Sequence, residues 1–352
     1  MNTLTTGKIK TIFDEEFENI FLGITIADFQ KRGFSFGDSV TIVLEDGTTL
    51  KDIPFYSGYY SGVEELMLCG YPGDPYIKIA RNCGNPTWYE FDVKDDTYAE
   101  VFLEEKGKYL EIQELFSLEY SDAIEDFDSL ETYCNFRELK CGNIKPHYFY
   151  RSASPCDNWH HRGTPTDQLV KQYGIRCVLN LSNSEKKYAS FLEKEDFNSP
   201  YYHSLYEKGD VLLLLLNVNY RSLDFKEKLA KGLLEMTQHE GPVLVHCAEG
   251  KDRTGFVCAT IMSLAGAHAQ DIIADYMKTY DCYYQITETS APKKYEAILD
   301  NIHDFLYSMC EKEPTTPLED LDLQTSAIQY LKQGGLNSEE VSQILNYIQN
   351  NT

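Results

Sequence analysis

The residues able to do chemistry crowd into positions 241 to 255, Gly-Pro-Val-Leu-Val-His-Cys-Ala-Glu-Gly-Lys-Asp-Arg-Thr-Gly. The thiol of Cys247 stands six residues before the guanidinium of Arg253, a spacing that lets the intervening backbone wrap round an oxyanion. Cysteine at a helix N-terminus beside a cation is held as thiolate, so Cys247 is the candidate nucleophile. Arg253 offers a planar fork that grips two phosphoryl oxygens together and follows them as charge spreads. The substrate-binding candidates are Ala248, Glu249, Gly250, Lys251, Asp252 and Thr254, whose amides and side chains line the wrap. The Thr254 hydroxyl can donate to the Cys247 sulfur, and His246 can fix the loop through hydrogen bonds. Such chemistry calls for no cofactor and no metal.

Strand and helix must hold these groups. Val243 to Val245, after Pro242, read as a strand buried on both faces. Phe256, Val257, Ala259, Ile261, Met262 and Leu264 recur at helical spacing until Gly266 stops them. Gly250 and Gly255 permit the close backbone approach that a phosphate cradle needs.

The rest of the chain bounds the reading. Its 352 residues suffice for two domains, and a 42% hydrophobic, 13% aromatic composition is globular. A net charge of −24 speaks against nucleic acid and against docking on anionic lipid, since polyanions are held by basic surfaces. No run of 18 apolar residues is present, so no membrane insertion is expected, and Met1 to Lys8 lack the apolar core of a signal peptide. The ten cysteines show no Cys-x-x-Cys pair and read as reduced thiols, which places the chain in the cytoplasm. Cys156, Asp157, His160 and His161 form the one metal-like cluster, and their spacing matches no tetrahedral pattern.

Residues 1–118 carry short β-branched and aromatic runs at Ser39 to Leu44, Gly47 to Leu50, Tyr76 to Ala80, Trp88 to Val93 and Tyr98 to Leu103. Turn signals at Asp46-Gly47, Pro72-Gly73 and Gly84-Asn85-Pro86 separate them, which predicts a small all-β barrel or sandwich. The Tyr56 to Gly62 stretch reads as a tyrosine-rich turn. Residues 119–352 alternate: strand at Tyr148 to Arg151, helix at Thr166 to Tyr173, strands at Ile175 to Leu181 and Tyr201 to Leu205. A helix capped by Ser222 follows, with Phe225, Leu229, Leu233 and Met236 on one face. Alternation of this kind predicts an α/β fold with a mostly parallel sheet, whose ligand lies beyond the carboxyl ends of the strands. The five leucines Leu212 to Leu216 read as a buried strand or helix end under the loop.

His-Cys-Ala-Glu-Gly-Lys-Asp-Arg-Thr-Gly resembles the signature loop of cysteine-dependent protein tyrosine phosphatases. Its Gly-Lys-Asp-Arg-Thr-Gly form is that of a bacterial branch acting on phosphotyrosine and, in some members, phosphoinositides. The likeness extends to Asn135 to Leu139, Tyr150 to Pro155, Asp275-Tyr276 and Tyr330 to Glu340. It implies a parallel-sheet tyrosine phosphatase-like fold behind a smaller all-β domain, and a phosphocysteine intermediate. Arg137 and Arg151 become candidates for holding the loop or lining the pocket. Asn180-Leu181-Ser182-Asn183 departs from the family's Asp-Leu-Arg, which puts an ionic network to Arg253 or Lys251 in doubt. Phe36 to Ile42, Tyr56 and Asn82 to Asn85 are also similar to the β-barrel domain of hydroxide adenosyltransferases; no catalytic residue comes with that likeness, and no activity is carried over.

The departing oxygen needs a proton. Related folds supply it from a loop between the Tyr201 strand and the Ser222 helix, where Asp210 stands as first choice; Asp157 competes, with Glu207 and Asp252 behind. The expected substrate is protein phosphotyrosine, with Trp159, Tyr148 and Tyr206 as candidate walls for the ring. Phosphoinositide or inositol polyphosphate is the alternative, favoured by the second cation Lys251 unless that cation pairs with Asp252 or Glu249. A phosphate-binding pseudoenzyme or scaffold is the remaining reading, and the sequence names no partner for residues 1–118.

Overall fold

The computed structural model describes residues 4–94 and 96–349; Met1 to Thr3, the start of the amino-terminal segment read above, lie outside the described residues, as do Asp95 and Asn350 to Thr352. Backbone proximity divides the chain into two compact units, Met1–Leu118 and Glu119–Thr352.

In the first unit, β1 (Thr5–Phe13), β2 (Ile20–Leu22), β3 (Ser39–Leu44), β4 (Thr49–Tyr56), β5 (Leu66–Cys69), β6 (Lys78–Arg81) and β7 (Tyr98–Glu105) close a barrel. Around the barrel the order is β1-β2-β6-β5-β4-β3-β7, with β4 and β5 parallel and the other pairs antiparallel. Alternation turns one set of side chains inward, among them Ile9, Val40, Ile42, Phe55, Leu68, Ile79 and Val101. Three short helices, α1 (Ile26–Lys31), α2 (Thr87–Glu90) and α3 (Leu110–Phe116), complete the unit. The strand expected at Trp88 to Val93 is instead α2 and the turn after it. Pro86 starts that turn, and Trp88 anchors it edge-on against Phe13 at 5.3 Å.

The second unit runs α4 (Leu130–Tyr133), β8 (Arg137–Glu138), β9 (Phe149–Ser152), α5 (Gly163–Gln172), β10 (Cys177–Asn180), α6 (Glu185–Leu192), α7 (Pro200–Glu207), β11 (Val211–Leu213) and α8 (Leu223–Met236). It continues with β12 (Val243–His246), α9 (Asp252–Leu264), α10 (Ala269–Tyr284), α11 (Pro292–Cys310), α12 (Leu323–Gln333) and α13 (Ser338–Ile348). The sheet order is β11-β10-β12-β9-β8; the first four strands are parallel and β8 is an antiparallel edge. β10 and β12 are buried at every position, as continuous apolar strands in the middle of a covered sheet must be. Ser222 caps α8 by accepting the Phe225 N–H at 3.2 Å, and Phe225, Leu229, Leu233 and Met236 are its buried stripe. Helix α9 is buried from Thr254 to Leu264, so it holds the site from inside the core.

Tyr201 to Leu205 corrects the expectation of a strand. Pro200 presets the first helical turn of α7, and the Asp167 carboxylate of α5 accepts the Tyr201 and Tyr202 amides at 3.2 and 2.6 Å, doing the work of a cap. The leucine run is β11 and its continuation, since the Leu214 and Leu216 amides donate to the Asn180 and Leu181 carbonyls at 2.9 and 2.8 Å. Leu215, at φ 46°, turns out to solvent. Among the described residues, no helix is long and apolar enough to cross a membrane.

Candidate active site

Strand β12 ends at His246, and α9 begins at Asp252 with Cys247 to Lys251 between them. Among the described residues no side chain caps α9, which leaves first-turn amides available at its positive end. Three successive carbonyls of the loop are drawn to groups outside it. Ser154 N–H donates to Ala248 O at 2.9 Å, Asn135 Nδ2 to Glu249 O and Gly250 O at 3.2 Å each, and Arg151 Nη2 to Gly250 O at 2.7 Å. In a trans peptide the N–H points opposite the C=O, so the amides of Glu249, Gly250 and Lys251 face the other way, toward the concave side. Gly250 has φ 72°, and a Cβ there would stand 2.3 Å from Ser152 O, so no other residue fits the bend.

Below the loop lies a buried ionic brace. Asp275 of α10 takes Arg137 Nε at 2.8 Å on one oxygen and Arg151 Nη1 at 2.5 Å on the other; both guanidiniums also reach Thr279 Oγ1. Burial alone would raise the Asp275 pKa, but the two arginines outweigh it and hold the carboxyl below its usual value. Arg137 also donates to Asn135 Oδ1, which ties the brace to the residue gripping the loop carbonyls. Of the two roles open to Arg137 and Arg151, the structure supports the first: they hold the loop.

Cys247 is 4% exposed. His246 is fully buried, and burial pushes its imidazole down to about 4, so the neutral ring donates through Nδ1 to the Cys247 carbonyl at 3.1 Å. The Thr254 hydroxyl is buried and makes no hydrogen bond among the described residues, so the expected bond to the Cys247 sulfur is not formed. Arg253 Nη1 donates to Leu216 O at 3.3 Å, on the segment that continues β11. Lys251 Nζ lies 2.7 Å from Asp252 Oδ2 and 3.9 Å from Glu249 Oε2, and Glu249 also accepts from Tyr284 Oη at 2.8 Å.

The structure does not bring Asp210, the first choice for the general acid, to the loop. Asp210 precedes Val211, which pairs through Val178 with Leu244, so it stands level with Val243 at the amino end of the sheet. That is four residues, about 13 Å along the strand direction, behind Cys247. Its carboxylate instead meets His239 Nδ1 at 3.1 Å. Glu207, at the end of α7 before the same turn, shares that fault. Tyr148 is likewise at the amino end, its hydroxyl accepting the Gly241 amide, and Tyr206 packs on Tyr188 and bonds Glu185. Asp157 and Trp159 follow β9 at the carboxyl end, in the segment whose Ser154 grips the loop. Asp157 N–H donates to Ser154 Oγ at 3.0 Å, and its carboxylate lies 3.6 Å from Lys194.

Asn180 explains its departure from Asp-Leu-Arg. Its Nδ2 donates to Tyr202 Oη and Asn183 Oδ1 at 2.9 Å each, while Oδ1 accepts the amides of Ser182 and Asn183. A carboxylate, which only accepts, could not donate to Asn183 Oδ1. The anchors that sequence reasoning left without a role are Asn135, Ser154 and Thr279. Asn135 sits at φ 51°, and its signal in the sequence was its place at the head of the stretch Asn135 to Leu139.

A cysteine and an arginine joined by outward-facing carbonyls, between a parallel strand and a helix N-terminus, make an oxyanion cradle of the phosphatase class. The model of the tyrosine phosphatase family matches residues 129–348, and the chain belongs to that family. A 45-residue stretch is 47% identical to the triple specificity protein phosphatase PtpB of Mycobacterium tuberculosis, spanning 13% of this chain and 16% of that relative's length. The core catalytic domain of PP-IP phosphatase SIW14 from S. cerevisiae, solved with citrate, aligns over 47% of this chain and 86% of its own at 18% identity and a TM-score of 0.30.

Proposed function

We propose that this phosphatase hydrolyses phosphate monoesters through a phosphocysteine at Cys247, with protein phosphotyrosine as the favoured substrate. The carbonyls of Ala248, Glu249 and Gly250, drawn to groups outside the loop, carry the reading, because they turn the amides of Glu249, Gly250 and Lys251 to the opposite side. In the first step the Cys247 sulfur attacks phosphorus, the P–O bond breaks, and the leaving oxygen takes a proton. In the second, water attacks phosphorus, the P–S bond breaks, and inorganic phosphate leaves. Arg253 stabilises the equatorial oxygens in both. Release of inorganic phosphate from an aryl phosphate in the presence of EDTA tests the reading; a chain that releases none is not such an enzyme.

Asp157 takes over the acid role from Asp210, supported by its place on the carboxyl side. Asp157→Asn is expected to cut the rate on alkyl phosphates by ~10²-fold or more, and far less on nitrophenyl phosphate, whose leaving group needs no proton. Asp210→Asn is expected to leave both rates within twofold. Loss of both substrates alike in Asp157→Asn would show that the residue only shapes the loop, and would leave Asp252 as the acid.

The charge inside the loop favours phosphotyrosine over an inositol polyphosphate. Glu249, Lys251, Asp252 and Arg253 sum to zero, and Lys251 is already matched by two carboxylates. Lys251→Ala is therefore expected to cost the same small factor on a tyrosine-phosphorylated peptide and on inositol hexakisphosphate. A selective loss on the polyphosphate, of the ~1.5–3 kcal/mol that a bond to a charged group contributes, would reverse the order of substrates.

A further inference from the structure

We propose that Asp304 of α11 is a positioning residue for Arg253, acting through residues 214–222; the inference rests on the phosphatase reading above. That segment is the other wall met by the arginine, since Arg253 Nη1 donates to Leu216 O at 3.3 Å. One end of the segment is held by the sheet through the Leu216 amide on Leu181 O. The other end is held by α11. Arg221 Nη2 reaches both Asp304 oxygens at 2.7 Å, Arg221 Nη1 reaches Tyr220 Oη at 2.9 Å, and Tyr220 Oη donates to Asp304 Oδ2. Tyr220 is itself buried, edge-on to Phe256 at 4.6 Å and Phe305 at 5.1 Å, and its carbonyl accepts from Tyr330 Oη. Phe256 lies on α9, three residues beyond Arg253, so the same tyrosine packs against the helix that carries the arginine.

Between the two anchors the backbone is a tight turn. Tyr220 N–H donates to Val218 O, Asn219 N–H to Asn217 Oδ1, and the Ser222 amide and hydroxyl both to Asn219 O. A shift at Tyr220 therefore reaches Leu216 with little slack. Arg221 and Asp304 are 30% and 36% exposed, and ion pairs that wet contribute little to stability. A guanidinium fork on a transferring phosphoryl group is far less tolerant, since misplacement by an ångström costs ~10²-fold in rate.

The test uses the full chain with Asp304→Asn, Arg221→Met and the double variant. The measurements are kcat on an aryl phosphate, the tungstate Kd, the rate of Cys247 alkylation by iodoacetamide, and Tm. Expected are losses of about 10-fold to 10²-fold in kcat, weaker tungstate binding by a similar factor, and a double variant no worse than either single one. Alkylation by the neutral reagent, which reads a thiolate that the helix end still supports when Arg253 shifts, is expected to slow by no more than a few-fold, and Tm to stay near the parent's. Variants that fold and keep kcat and tungstate affinity within twofold of the parent overturn the inference, as does a double variant whose loss is the product of the singles. If Asp304→Asn does not fold, Tyr220→Phe breaks the same brace with the ring kept, and its kcat decides. A parent chain without turnover ends the phosphatase reading instead, while the tungstate affinities still decide whether Asp304 positions Arg253.

Discussion

Cys247→Ser is expected to lower turnover of an aryl phosphate by ~10⁴- to 10⁶-fold, the scale seen when a covalent nucleophile is removed. The cradle should outlive the thiol. Its shape is held by Asn135, Arg151 and Ser154 on the loop carbonyls, and none of these contacts involves the sulfur. Tungstate, which mimics the bound oxyanion, is thus expected to bind the Ser variant within a few-fold of the parent by calorimetry. Arg253→Ala is expected to lose both turnover and tungstate binding, because a charge-assisted fork contributes ~1.5–3 kcal/mol to each bond it makes. A Ser variant with full activity would end the phosphocysteine mechanism. An Arg253→Ala variant that bound tungstate normally would mean that the amides alone form the site.

Asp275→Asn is expected to be the most damaging change that touches no reacting atom. It leaves two buried guanidiniums, Arg137 and Arg151, facing one neutral amide, and breaking a buried pair by removing one partner costs ~3–5 kcal/mol. At ~2–4 °C per kcal/mol for a unit of this size, Tm should fall by about 6–20 °C. The pH dependence has a definite sign. Because the folded carboxyl is held below its unfolded value of 3.8, its contribution is present above that pH and is lost as pH falls through the folded value. Parent and variant melting curves should therefore converge in acid, below about pH 3.8, and stay apart at neutrality. A variant that melts with the parent at pH 7 would show that water, and not the carboxylate, satisfies the arginines.

The sequence by itself determined what is local. Cys247 through Gly255 are contiguous, so their spacing alone sets a thiol and a guanidinium on one loop at one helix N-terminus, and the flanking apolar runs make β12 and α9. The capped helix α8 and the parallel strands β9, β10 and β12 were legible for the same reason: period and punctuation lie within a few residues of each other. The barrel's closed order was not legible, because strand adjacency such as β2 beside β6 depends on contacts between residues far apart in the chain. Nor was α7, where tyrosines that favour strands were turned helical by Pro200 and by a carboxylate from another helix, Asp167. Tertiary structure alone decided which acid stands at the carboxyl edge of the sheet, the edge that carries the loop. Asp210 and Asp157 both sit beside strands of one sheet, yet Asp210 precedes its strand and Asp157 follows its own, and parallel strands send those two ends to opposite edges. It likewise decided that Asp275 joins Arg137 to Arg151 across more than a hundred residues, since a buried charge finds its partners only where the chain has already brought them together.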